Sequence, residues 1–200
     1  MEQTVIRGRP REFCVDNALA TALRLFWSKG YEGTSLSDLT DAMGITRPSL
    51  YAAFGNKEQL FRQALDLYER EKMAYVGQAL EQPTARAVAR HFLERAVAAF
   101  TGELDPRGCL SVVASTACGS EAECIRQEVV KRSRAVQEAL TERMQRAIDE
   151  GDFHGPANAE AMGKYLLAIV QGMSVQAGAG ASREELEGVV ETTLAMWPSH

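Results

Sequence analysis

Two hundred residues, 46% of them hydrophobic and 24% charged, are enough for one large or two small domains that bury about 70% of the unfolded chain's surface. That balance excludes a disordered chain, no apolar run approaches the roughly 20 residues needed to cross a bilayer, and a start without a hydrophobic signal core predicts a cytoplasmic protein. The net charge of −5 argues against indiscriminate binding to nucleic acid, yet basic character gathers at the front, where the first 62 residues carry eight Lys/Arg against seven Asp/Glu.

Residues 1–13 read as a basic arm. Arg7, Arg9 and Arg11, spaced around Gly8 and Pro10, resist helix formation and can extend into a narrow A·T-rich minor groove, whose potential attracts guanidinium groups; the run is similar to an AT-hook core. Asp16 then predicts an N-cap for a first helix over about 17–29, with Leu19, Ala22, Leu23, Phe26 and Trp27 along one side and Gly30 as its stop. Its role is structural, with Tyr31 closing the base of a small core.

Thr34 to Lys57 reads as two short helices and a tight turn. Ser35 with Asp38 at N3 opens the first, Leu36 and Leu39 give it an apolar stripe, and Gly44 ends it. Thr46 caps the second, Pro48 is tolerated in its first turn, and Leu50 and Phe54 fall on one face. A plain helical hairpin has the same caps. A helix-turn-helix, in contrast, would turn Arg47, Ser49, Tyr51 and Ala52 toward the DNA major groove. Gly30-Tyr31-Glu32-Gly33-Thr34-Ser35 before this unit, and Leu50-Tyr51-Ala52-Ala53-Phe54-Gly55-Asn56-Lys57-Glu58 across its end, resemble the DNA-binding domain of the tetracycline-repressor (TetR) family. The resemblance runs from about Arg9 to Phe61; behind it only helix lengths and a Gly-Cys-Leu segment agree.

Asn56 with Gln59 predicts the cap of a long helix running toward Pro83, roughly 35 to 40 Å at 1.5 Å per residue. Such a helix is a lever joining two domains, 1–61 and 62–200. Thr84 to about Thr101 carries a broad apolar stripe, and Pro106 opens a short helix containing Cys109, Leu110, Val112 and Val113. Ser120 to Glu123 reads as a capping box for a helix reaching Glu150. Two helices close the chain, over about 157–177 and 183–196. Their wide stripes, Leu166, Ile169, Val170 and Met173 on the first and Leu186, Val189, Val190, Thr193, Leu194 and Trp197 on the second, predict a two-fold interface; burial within their own domain is the alternative.

The expected fold is therefore all-α. The resemblance implies a nine-helix, two-domain dimer: a three-helix, helix-turn-helix DNA-binding domain ahead of a helical ligand-binding and dimerisation domain. Its implied partners are double-stranded DNA with a palindromic operator, a small-molecule effector and a second copy of the chain, making a homodimeric repressor. The candidate DNA-binding set is Arg7, Arg9, Arg11, Thr34, Ser35, Thr46, Arg47, Pro48, Ser49, Tyr51, Ala52, Asn56 and Lys57. Arg47, Ser49 and Ala52 read bases; Tyr51 and Lys57 hold phosphates. Ala53 stands where the family often has a phosphate-contacting histidine.

His91, Phe92, Arg95, Phe100, Cys109, Val113 and Met144 are the candidate effector-pocket residues, although such stripes more often only pack. Cys14, Cys109, Cys118 and Cys124 fit no zinc or thioredoxin spacing, so no metal or cofactor is expected. A thiol sensor built on Cys118 and Cys124 is the variant reading, and a helical interaction module without DNA the rival one. No catalytic motif is found, so an enzyme is not expected.

Overall fold

The computed structural model describes residues 14–116, 122–153 and 155–199. Among them lie ten helices: α1 (Val15–Lys29), α2 (Leu36–Met43), α3 (Arg47–Phe54), α4 (Lys57–Lys72), α5 (Ala74–Leu80), α6 (Ala85–Phe100), α7 (Leu110–Thr116), α8 (Glu123–Asp149), α9 (Ala159–Gly178) and α10 (Arg183–Ala195). The only β-type pairing among these residues is an isolated bridge between Phe153 and Ser199. The chain is an all-helical fold, as its apolar periodicities require.

The helix expected to run from Asn56 toward Pro83 is instead two, because the helical backbone is interrupted at Met73 between α4 and α5. That break accounts for the tenth helix. Other limits shift slightly. Cys14, not Asp16, is the N-cap of α1; Asp16 lies in its first turn. Asn158 caps α9, and α8 starts with Ala122 at its N-cap and no side-chain cap. Ser120 of the expected capping box lies outside the described residues.

Helix α1 packs across α4 and against α2, and α2 meets α3, which closes the front unit. Its centre is aromatic: Phe26 and Phe61 meet edge to face at 5.0 Å, and Tyr31 closes on Phe61 at 5.2 Å. Behind it α8 lies along α9, while α6 is flanked by α5, α9 and α10. The two halves share one continuous apolar cluster from Ala18 to Trp197. Helix α4 is the shared wall, and it crosses the expected division at residue 61. Trp27 of α1 meets Tyr68 of α4 edge to face at 4.9 Å, an arrangement that adds about 0.5 to 1.5 kcal/mol to the area buried.

Candidate nucleic-acid interface and effector cavity

The front unit is held by local caps. Asp38 N–H donates to Ser35 Oγ at 3.0 Å, and the Asp38 carboxylate accepts from Ser35 N–H at 2.8 Å and Ser35 Oγ at 2.6 Å. Lys29 Nζ adds an ion pair at 3.0 Å. The Ser35 hydrogen bonds, with Lys29 assisting, hold the Asp38 carboxyl far below the ordinary carboxylate range. Gly44 then turns the chain in the left-handed conformation, φ 66°, which a side chain would disfavour.

Thr46 caps α3, its hydroxyl accepting from Ser49 N–H at 3.3 Å. Leu50 and Phe54 are buried, so Thr46, Arg47, Pro48, Ser49, Tyr51 and Ala52 are left on one exposed surface. Arg47 Nη2 donates to Ser37 Oγ at 2.9 Å, linking α3 to α2. Asn56 caps α4 in a second capping box with Gln59. Lys57 Nζ sits 4.3 Å above the Tyr31 ring; burial pulls its pKa down, opposed by Glu32 and Asp38.

Two parts of the expected DNA-binding set change. Thr34 is fully buried and its hydroxyl donates to the Gly30 carbonyl at 2.7 Å, so it braces the entry to α2 and presents nothing to a ligand. Arg7, Arg9 and Arg11 lie outside the described residues. Ser35 is exposed, although its hydroxyl is already engaged with Asp38.

A second feature lies behind α4: a cavity of about 320 Å³ between α4 and α9. Of the candidate effector-pocket residues, Phe92, Phe100 and Cys109 line it; His91, Arg95, Val113 and Met144 do not. Met144 is fully buried core. Arg95 points to an outer groove between α5 and α6. His91 and Val113 are half-buried away from the cavity. Each sits on the right helix but at the wrong angle, since a stripe does not say which of its flanks faces a void. The lining residues missed by the sequence include Met73, Tyr75, Arg132, Gln137 and Leu167. Tyr75 was hidden by the unforeseen break at Met73, and Arg132 by its charge.

The cavity is tied to α4 twice. Gly108, at φ 83°, carries the loop so close to α9 that an added Cβ would lie 2.8 Å from the Ser174 carbonyl oxygen. Cys109 N–H donates to Ser174 Oγ at 2.8 Å, and Tyr68 Oη donates to Cys109 Sγ at 3.2 Å. Burial first, then Cys109, pushes the Tyr68 phenol well above its ordinary pKa. On the other side Arg132 of α8 binds Glu69 at 2.8 Å and Asp66 at 2.7 Å on α4, and Glu128 at 2.8 Å. Burial, joined by the neighbouring carboxylates of Asp66 and Glu128, raises the Glu69 pKa against the opposing pull of Arg132. A third tie joins front and rear: Asp105 pairs with Arg24 of α1 at 3.5 Å and with Lys72 of α4 at 2.6 Å.

The expected dimer stripe is mostly spent inside the chain. Leu166, Val170, Met173, Leu186, Val190, Thr193, Leu194 and Trp197 are buried in the chain itself, and Ile169 and Val189 are half-buried. Helices α6 and α8 cover them. The large apolar residues that α9 and the end of α10 leave outside are Tyr165, Val175 and Met196. Among the described residues no three His, Cys, Asp or Glu side chains converge as a metal site, and no helix is long and apolar enough to cross a membrane. Cys124 is a half-buried free thiol; Cys118 lies outside the described residues.

Residues 18–64 match the family profile described as bacterial regulatory proteins, tetR family, and residues 83–193 match that described as tetracyclin repressor-like, C-terminal domain. The HTH-type transcriptional repressor ComR of Escherichia coli K12 is 35% identical over 198 residues, covering 96% of this chain and 92% of its own. A cysteine mutant of the TetR family regulator CifR, solved in complex with a 26-bp double-strand operator DNA, is 41% identical, with a TM-score of 0.89 over 96% of this chain and 100% of that one. A putative TetR regulator from Rhodococcus sp. RHA1 is 38% identical, with a TM-score of 0.64 over 92% and 99%.

Proposed function

The chain belongs to the TetR family of bacterial regulatory proteins, and from that premise we propose that it is a dimeric repressor which a small-molecule effector releases from a palindromic operator. The observation that carries this is the outer surface of α3: a capped helix, anchored by buried Leu50 and Phe54, presents Arg47, Ser49, Tyr51 and Ala52 together. A recognition helix needs that division between an anchored and a free face.

In this reading residues 1–61 read DNA, and residues 62–200 bind the effector and dimerise. Arg47 and Ser49 donate to base edges, Ala52 meets a thymine methyl, and Tyr51 together with the amides opening α4 at Asn56 holds phosphates. Lys57, lodged over Tyr31, places its ammonium beside the same phosphates. Arg7, Arg9 and Arg11 supply minor-groove or phosphate contacts. Dimerisation uses the outer side of α9 and the end of α10, where Tyr165, Val175 and Met196 stand exposed; two heads then meet half-sites about one helical turn, or a multiple of it, apart.

Release is a matter of differential affinity. An effector that prefers the arrangement in which α4 has moved weakens operator binding roughly 5- to 150-fold for a coupling of about 1 to 3 kcal/mol. The contacts that would carry it from the cavity are Cys109 to Tyr68 and Arg132 to Asp66 and Glu69.

The test is a footprint and gel shift on DNA flanking the protein's own gene across a salt series. A protected palindrome, with affinity falling steeply as salt rises, is the expected result. Absence of binding to any duplex at low salt would leave a helical module without DNA function and reject the proposal.

A further inference from the structure

The cavity behind α4 has a lining that restricts what can enter it. Its interior wall is apolar and aromatic, with Tyr75, Phe92, Phe100, Val136 and Leu167 among its residues. Among the described residues, charged side chains reach it from α4 and α8, as Glu69, Arg132 and Arg134. Glu69 and Arg132 are spent on one another. Each of the three guanidinium nitrogens of Arg132 already faces a carboxylate: Nε that of Glu128, Nη1 that of Glu69 and Nη2 that of Asp66, all within 2.8 Å. An anionic ligand drawn to this guanidinium would lie beside three carboxylates, whose like charge repels it. Arg134 is exposed and keeps its hydration. An ion placed deeper in the cavity would lose its water and find no counter-charge among the described residues, which opposes its entry.

The other polar groups on the wall are neutral: Ser111, Ser115, Ser133, Gln137 and Gln171. Hydroxyls and amides of this kind satisfy a ligand hydroxyl, carbonyl or amide without a net charge on either side. At about 320 Å³ the space suits a compact molecule of two or three rings. We propose that the effector cavity takes an uncharged, mainly apolar molecule bearing one or two neutral hydrogen-bonding groups, and discriminates against anionic ligands of the same shape.

This rests on the reading of the protein as an effector-released repressor, and the experiment separates the two. The full chain is titrated, without DNA, with N-phenyl-1-naphthylamine and with 8-anilinonaphthalene-1-sulfonate, fluorescent probes with a common skeleton that differ by one sulfonate. The uncharged probe is expected to saturate at one site per chain, at least tenfold more tightly than the anionic one. Val136→Trp, which fills the cavity from α8, is expected to weaken it at least tenfold with an unchanged circular dichroism spectrum. Should that variant fail to fold, Val130→Trp at the half-exposed rim is expected to do the same. Equal or tighter binding of the sulfonate overturns the proposal, as does binding of the uncharged probe that neither substitution weakens. Gel shifts without probe report on the regulator reading alone: a chain that binds the uncharged probe as expected but ignores duplex DNA overturns that reading and leaves the cavity assignment standing.

Discussion

The front unit and the helices behind α4 are both built from amphipathic segments, but they use their apolar faces to different ends. In the front unit the stripes are narrow and fully satisfied: Phe26, Leu39, Leu50 and Phe61 are each buried without remainder, and the polar residues left over on α3 form the candidate surface. In the rear the stripes are wide, most of each is consumed between helices, and a cavity remains where α4 to α9 do not quite meet. A surface site is what the core leaves outside; a cavity is what the core leaves unfilled. The first can be inferred by subtraction, whereas the second depends on how several helices cross.

Substitutions in the two regions should therefore fail differently. The largest effect is expected from Phe26→Ala, which empties the aromatic centre of the front unit at about 3 to 5 kcal/mol; urea unfolding should show that loss, and DNA binding should fail with it. A smaller cost would mean that the front core is less tightly filled than its contacts imply. Next comes Val175→Asp, which places a carboxylate on the outer side of α9. It should raise the dimer dissociation constant at least about 100-fold in analytical ultracentrifugation while each chain stays folded. Val190→Asp, by contrast, falls in the buried core and should lower the stability of each chain itself, which thermal melting would distinguish.

Arg47→Ala comes third. It should cost about 1 to 3 kcal/mol at one base position and flatten preference there in a competition assay over randomised operators. An unaltered preference would mean that Arg47 serves only its bond to Ser37. Tyr68→Phe deletes the hydroxyl that joins α4 to Cys109 and should cost about 1 kcal/mol of stability with an unchanged urea slope. The smallest effect is expected at Asp38. Its carboxyl titrates lower in the folded state than its ordinary value, so its contribution is fully present above the unfolded-state pKa of about 3.9 and is lost as pH falls through the folded value. Asp38→Asn should lower the melting temperature at neutral pH, and the gap should narrow in strong acid; a gap constant with pH would contradict the capping role.

How much of the site was legible follows the same division. Ser35, Thr46 and Asn56 cap their helices where spacing placed them, because a cap is a bond across three residues. The exposed run on α3 was equally accessible, since Leu50 and Phe54 fix its rotation. Thr34 escaped the pattern: a hydroxyl beside a glycine turn reads as polar surface until its carbonyl partner, four residues back, is in view. In the rear, Phe92, Phe100 and Cys109 were identified with the cavity but Tyr75 and Arg132 were not. Tyr75 lies beyond a helix break that carries no proline or glycine to announce it.

By itself, the sequence determined the helical class, the front unit with the caps of its second, third and fourth helices, and the family, because each rests on bonds and periodicities spanning a few residues. Only the tertiary structure decided which flank of each rear stripe borders the void, that α9 and α10 turn most of their apolar residues inward, and that Tyr68 and Arg132 tie the cavity to α4. These depend on the crossing of helices far apart in the chain, where rotation by one residue, about 100°, exchanges a core position for a wall or a surface.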